Sequence, residues 1–108
     1  MNKRNAKNVE TNKLRGLKRK LLLIEKGGGE CSACGYNKNL SALQFHHKNE
    51  AEKEFGLSQR SLSGKTMKEL MKEFVKCVLF CANCHAEHHN PTTEIETVRE
   101  KIRKHEKN

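Results

Sequence analysis

The sequence predicts a small α+β domain in which four cysteines tie extended segments together and helices flank the whole. Three observations predict it. Two C-x-x-C pairs, Cys31-Ser32-Ala33-Cys34 and Cys81-Ala82-Asn83-Cys84, stand far apart in the chain. Short apolar extended stretches, Ala42-Leu43-Gln44-Phe45 and Cys77-Val78-Leu79-Phe80, lie between the pairs and lead into the second. Helical periodicity and capping signals occur towards both termini.

Composition explains why cysteines should organise the fold. The chain has 108 residues, 34% hydrophobic and 5% aromatic, with no tryptophan. So polar a chain buries too little apolar surface to offset its conformational entropy with comfort, and domains of this kind add disulfides or a metal. The basic start, Met1-Asn2-Lys3-Arg4-Asn5, is followed by no apolar segment of signal-peptide length. The longest apolar run, Leu21-Leu22-Leu23-Ile24, is far too short to span a bilayer. The expectation is a cytoplasmic protein without a membrane partner, where thiols stay reduced and paired cysteines bind metal. Five cysteines is also an odd number, which makes disulfides the weaker alternative. Two C-x-x-C hooks complete a tetrahedral thiolate site, so Cys31, Cys34, Cys81 and Cys84 are expected to hold a structural zinc. Gly35 suits a turn position that needs positive φ. Cys77, beside Val78-Leu79-Phe80, reads as a buried apolar thiol.

In chain order, residues from Met1 to about Asn8 are charged and small and read as disordered. From about Thr11 to Lys26 the pattern is helical, with Leu14, Leu17, Leu21 and Ile24 on one face. Gly27-Gly28-Gly29 ends that helix. The strand at Ala42–Phe45 delivers His46 and His47. Residues 56–65, with Gly, Ser and Gln, read as a loop or loose insertion. Thr66 and Glu69 form a capping box for a helix whose apolar stripe is Met67, Leu70, Met71, Phe74 and Val75. A further helix is expected near Cys84, and a second capping box at Thr93–Glu96 opens a charged C-terminal helix lying on the domain. The expected organisation is a basic arm and helix over residues 1–29, a core over 30–91 and a charged helix over 92–108.

Histidines form a second constellation. There are six, and five flank the cysteine motifs. On a helix starting near Cys84, His85 and His89 fall at i and i+4, a spacing that grips one metal. On a strand His46 and His47 face opposite ways, so without a bend they cannot both ligate one ion. The bland alternative is a set of solvated surface histidines, which is the reading adopted for His88 and His105. For His46, His47, His85 and His89 the clustering favours a second metal site.

The run Cys31-x-x-Cys34-Gly35, Leu43-Gln44-Phe45-His46-His47, then Leu79-Phe80-Cys81-Ala82-Asn83-Cys84-His85-x-x-x-His89 resembles the HNH endonucleases. It is closest in pattern to the phage- and bacterium-associated branch with a four-cysteine zinc, and covers about Cys31 to His89. The resemblance implies a ββα-metal core, a β-hairpin and a helix clasping a catalytic divalent ion. It implies His47 as general base, and His46, His85 and His89 as ligands of that ion. Lys53 and Phe55 match the family. Two positions depart: Lys76 and Cys77 occupy the range where the middle Asn is expected, leaving Asn83 the only nearby Asn, and Asn49-Glu50 replaces Asp-Pro.

The residue types fit phosphodiester hydrolysis. An imidazole titrating near neutrality suits water activation, and a metal on three imidazoles suits charge neutralisation. Imidazole ligands favour Mn, Co, Ni or Zn over Mg. A net charge of +9 adds a substrate argument. Lys3, Arg4, Lys7, Lys13, Arg15, Lys18, Arg19, Lys20 and Lys26 outweigh Glu10 and Glu25 in the N-terminal part. DNA contacts are therefore expected from Lys13, Arg15, Lys18, Arg19, Lys20 and Lys53, with low sequence specificity. A solubilising, membrane-surface or protein-docking helix is the alternative for that segment. Cys81–His85 also fits the c-type haem pattern, which leaves Cys31 and Cys34 unexplained. The deaminase signature is excluded by the order of its parts. A non-catalytic zinc module binding nucleic acid is the serious rival to a nuclease.

Overall fold

The computed structural model describes residues 3–107, with side chains from residue 8 onward. Met1, Asn2 and Asn108 lie outside the described residues, as do the side chains of Lys3, Arg4 and Lys7. The chain is α+β, with five α-helices and one two-stranded antiparallel sheet among the described residues. Helix α1 spans Lys3–Lys26, β1 Leu43–His47, α2 Gln59–Gly64 and α3 Met67–Phe74. Strand β2 spans Cys77–Cys81, α4 Ala82–His89 and α5 Ile95–Lys107.

The sheet register pairs Leu43 with Cys81, Phe45 with Leu79 and His47 with Cys77. These six share one face, because side chains alternate along a strand. Gln44 and His46, opposite Phe80 and Val78, share the other. The first face carries the core. Ile24, Cys31, Leu43, Leu79 and Cys81 form one buried cluster, and Leu23, Leu62 and Leu70 another. Phe45 packs against both, with its ring edge-on to Phe74 of α3 at 6.0 Å. Each fully buried leucine contributes roughly 1.5–3 kcal/mol. Two of the five residues in the first cluster are cysteines of the C-x-x-C pairs, so this core leans on the residues of the four-cysteine group.

Helix α1 begins at Lys3, so the reading of residues up to Asn8 as disordered is corrected over the described part. Its buried face also differs from the expected one. Of the expected stripe only Ile24 is buried; Leu14, Leu17 and Leu21 are 60%, 38% and 43% exposed, while Gly16 and Leu23 are buried. The reason is the close passage of α2. A Cβ built on Gly16 would lie 2.1 Å from Nε2 of Gln59, so only a glycine lets that side chain lie against α1. The face that starts at Gly16 continues through Arg19 and Leu23, on nearly the opposite side of the helix from Leu14, Leu17 and Leu21. The helix ends in a Schellman motif: Gly29 N–H donates to Ile24 and Gly28 N–H to Glu25, with Gly28 at φ 107°.

Residues 59–64, expected as loop, form α2. Ser58 caps it by accepting from Ser61 N–H, and Leu62 anchors it in the core. Helix α3 opens with the capping box of Thr66 and Glu69. Its stripe is buried at Leu70 and half-buried at Met67, Met71 and Phe74, but Val75 is 65% exposed just past the helix end. Helix α4 starts at Ala82, earlier than expected, with Cys81 as its N-cap. Helix α5 is exposed along its length except at the half-buried Thr97 and Val98. Its cap is Glu94, whose carboxylate accepts from Glu96 N–H and the Thr97 hydroxyl, and not Thr93. Thr93 donates to the Asn90 carbonyl instead. No described helix is long and apolar enough to cross a membrane.

Candidate metal centre

The first cysteine hook is a knuckle folded onto β2. Cys31 N–H donates to the Tyr36 carbonyl and Gly35 N–H to the Cys31 carbonyl, each at 2.9 Å. Gly35 sits at φ 83°, as its position in the motif predicts. Ser32 fastens the knuckle: its backbone N–H and its hydroxyl both donate to the Leu79 carbonyl, at 2.9 and 2.8 Å. The second hook needs no loop, because Cys81 ends β2 and caps α4, its sulfur accepting from Cys84 N–H.

The sulfurs of Cys31, Cys34, Cys81 and Cys84 all lie within 4.8 Å of one another. Cys34 and Cys81 are 3.7 Å apart, close to the ~3.8 Å edge of a tetrahedron with zinc–sulfur bonds of ~2.3 Å. A disulfide would need ~2.05 Å, and all five cysteines are free. Four close cysteines of this geometry could hold a zinc ion. Their electrostatics fit that use. Burial pushes the Cys31 thiol up, but N–H groups of Cys81, Cys34 and Ala33 outweigh it and bring it down to about 6. Cys34 is pulled down by Tyr36 N–H yet ends raised, through hydrogen bonds to Cys31 and Cys81. Cys84 is raised by hydrogen bonds to Cys81 and Cys34 and by burial. One thiolate is thus favoured and its neighbours resist, so full deprotonation calls for a cation. Cys77 stands apart, half-buried and pushed up to about 11 by burial.

On the opposite face of the sheet a second group assembles. The ligand nitrogens of His46, His85 and His89 lie within 4.8 Å of one another. His46 Nδ1 is 3.3 Å from His85 Nε2, and His89 Nε2 is 3.1 Å from the same atom. Nitrogens bound to one tetrahedral metal at ~2.1 Å lie ~3.4 Å apart. Burial, then the neighbouring imidazoles, lower the pKa of both His46 and His85, which favours the neutral ring a metal needs. His88 is exposed and outside the ligand group, although its ring meets that of His46 at 4.6 Å.

Two neighbours of this group were not anticipated. Gln44 Oε1 accepts from His85 Nδ1 at 2.6 Å, which points the Nε2 lone pair of His85 into the group. Period-two alternation places Gln44 on the face of His46 and was the available signal. Phe80 lies under the cluster, its ring 5.3 Å from that of His46.

His47 is not brought to this group. It points to the core face, 6% exposed, with Nε2 2.6 Å from Oε2 of Glu73. Glu73, 1% exposed, was also missed. Its signal is a carboxylate on an otherwise apolar helix face, which demands a partner. Burial would raise its pKa, but hydrogen bonds from Lys76, His47 and Glu54 N–H hold it down to about 2. Asn83 is exposed beside the cysteines and lines the surface with Cys34 and Cys84.

Of the expected DNA contacts, Lys13, Arg15 and Lys18 are exposed on α1. Arg19 instead serves the fold, its Nη1 donating to the Leu62 and Lys65 carbonyls at 2.9 and 2.6 Å and closing the C-terminus of α2. Arg15 Nη1 reaches the Ser63 carbonyl at 3.3 Å. Lys20 is half-buried, and burial lowers its pKa. Lys53 is exposed, 4.0 Å from the Glu50 carboxylate. No protein-family model matches the chain, and neither does any curated protein or solved structure.

Proposed function

We propose that the chain is a metal-dependent endonuclease of the HNH kind, hydrolysing DNA phosphodiester bonds by nicking or low-specificity cleavage. The observation that carries this reading is the convergence of His46, His85 and His89 beside a complete four-cysteine set. A module that only needs to fold is served by one closed site; three protein ligands elsewhere leave coordination positions open for chemistry. The motif resemblance supports the same reading.

In this mechanism His46, His85 and His89 hold one divalent ion, with Mn, Co, Ni or Zn preferred over Mg. When bound, such an ion supplies Lewis acidity towards phosphoryl oxygens and lowers the pKa of water. Gln44 orients His85 as a ligand. His47 is assigned proton abstraction, and the exposed cations of α1 are assigned the phosphate backbone. The cysteine zinc is structural, joining the knuckle after α1 to the strand and helix that carry the histidines.

The burial of His47 and its contact with Glu73 favour a second reading, a zinc module that binds nucleic acid without cleaving it. Plasmid nicking with added Mn, Ni or Zn separates the two. Nicking that is lost in His85→Ala and His47→Ala is expected. Nicking that persists in His47→Ala would remove the assigned base. DNA binding with no nicking under any metal would establish the module.

A further inference from the structure

Helix α5 carries an apolar stripe that the described residues leave largely uncovered. Ile95 and Ile102 are 68% and 51% exposed, and residues 99–107 are exposed on every side. Ile95, Val98, Ile102 and His105 recur at steps of three, four and three, the a and d positions of a heptad pattern. The β-branched residues at a, Ile95 and Ile102, suit a two-stranded pairing. A 13-residue helix is marginal in water by itself, so covering the stripe would stabilise it.

The charges beside the stripe choose the occupant. In this register Glu94 and Lys101 fall at g, and Arg99 and Glu106 at e. In a parallel pair of identical helices each g residue faces the e residue five positions further along the other helix. Glu94 then meets Arg99, and Lys101 meets Glu106, opposite in sign and each occurring twice about the two-fold axis. Within the chain Glu94 caps α5 and Arg99 pairs with Glu96. Lys101 and Glu106 are left without an ion-pair partner among the described residues. An antiparallel pair that faces Val98 with Ile102 instead sets Arg99 against Arg99 and Lys101 against Lys101.

We propose that α5 is a self-association surface on which a second copy of this chain lays its own α5 in parallel. Ile95, Val98 and Ile102 of the two copies pack together, and Lys101 of each pairs with Glu106 of the other. At 13 residues the helix spans about 20 Å. So short an interface falls below the ~1,200–2,000 Å² of stable complexes, and the dimer forms reversibly with concentration. This surface is independent of the nuclease reading.

The test is sedimentation of the full chain, with zinc and reductant supplied, from about 10 to about 500 μM. The expected result is a mass that rises from monomer towards dimer. Ile102→Lys, at an exposed position, should hold the monomer mass throughout with helical content unchanged. Leu14→Lys, on the exposed leucines of α1, should dimerise as the wild type does. Lys101→Glu and Glu106→Lys should each self-associate about tenfold more weakly. Their equimolar mixture should recover close to the wild-type affinity, because each g residue then faces an e residue of opposite sign. A monomer at every concentration would overturn the proposal, as would a dimer that survives Ile102→Lys or is lost in Leu14→Lys. Unchanged association in Glu106→Lys would overturn the parallel arrangement, and a mixture no tighter than its components would overturn the charge match.

Discussion

Gln44 on β1 and His85 on α4 meet through a 2.6 Å hydrogen bond, Nδ1–H to Oε1, across the interface between strand and helix. The bond sets the His85 tautomer, and with it the direction of the Nε2 lone pair that faces His46 and His89. A strand residue two positions before His46 thus orients an imidazole on a helix that starts beyond the second strand.

Gln44→Leu should accordingly weaken metal binding at the histidine group by roughly 10–100-fold. The zinc on the cysteines should stay at full stoichiometry. Calorimetric titration of Co or Zn into protein whose cysteine site is already filled reads this directly. An unchanged affinity would mean that Gln44 does not set the tautomer.

The cysteines should divide into four that hold the fold and one that does not. Cys31→Ser or Cys84→Ser should lose zinc and cooperative unfolding together, because Cys31 belongs to the core cluster and Cys84 packs against it. Cys77→Ser should keep both, since the Cys77 sulfur lies outside the four-sulfur group and donates to the Glu73 carbonyl at 3.6 Å, a contact a hydroxyl can replace. Metal analysis and urea unfolding check the contrast. Zinc retained at full stoichiometry in Cys84→Ser would refute the four-cysteine site.

Cations on α1 should separate into two kinds. Arg19→Ala removes donors to the Leu62 and Lys65 carbonyls and should cost about 1–2 kcal/mol in stability. Lys13→Ala and Lys18→Ala should leave stability within about 0.5 kcal/mol. If α1 tracks phosphates, each lysine change should also reduce the slope of log affinity against log salt by about 1. Fluorescence titrations of duplex DNA at several salt concentrations measure it. Equal slopes would move the DNA surface elsewhere.

These residues mark how far the sequence could be read. C-x-x-C spacing requires both sulfurs at one point, and i, i+4 spacing puts His85 and His89 on one helix face, so both groups were legible from local geometry. The buried face of α1 was legible only at Ile24, because beside Leu23 that face is formed by a glycine and the arginine that closes α2, and hydrophobic periodicity gives neither any weight. Helix α2 escaped for a related reason: its one core anchor is Leu62, and its position depends on Gln59 lying against Gly16. The partnership of His47 and Glu73 joins residues 26 apart in sequence, and only the fold brings them together.

That pair also makes stability depend on acidity in a defined direction. Burial works against the Glu73 carboxylate, but Lys76, His47 and Glu54 N–H outweigh it and bring the folded value to about 2, against 4.5 when free. Between those values the unfolded chain binds the proton and the folded chain does not, so acid favours unfolding. The contribution is nearly complete above about pH 4.5 and is lost as pH falls towards about 2, amounting to roughly 3 kcal/mol. Glu73→Gln carries no such proton. Urea midpoints of wild type and variant should therefore differ most near neutrality, with the gap shrinking to less than half by about pH 3 and closing towards about pH 2. Taking the difference removes any acid release of a metal held by the cysteines, which would be common to both chains. A gap that stays constant across that window would show that the Glu73 carboxylate is not held in its charged form.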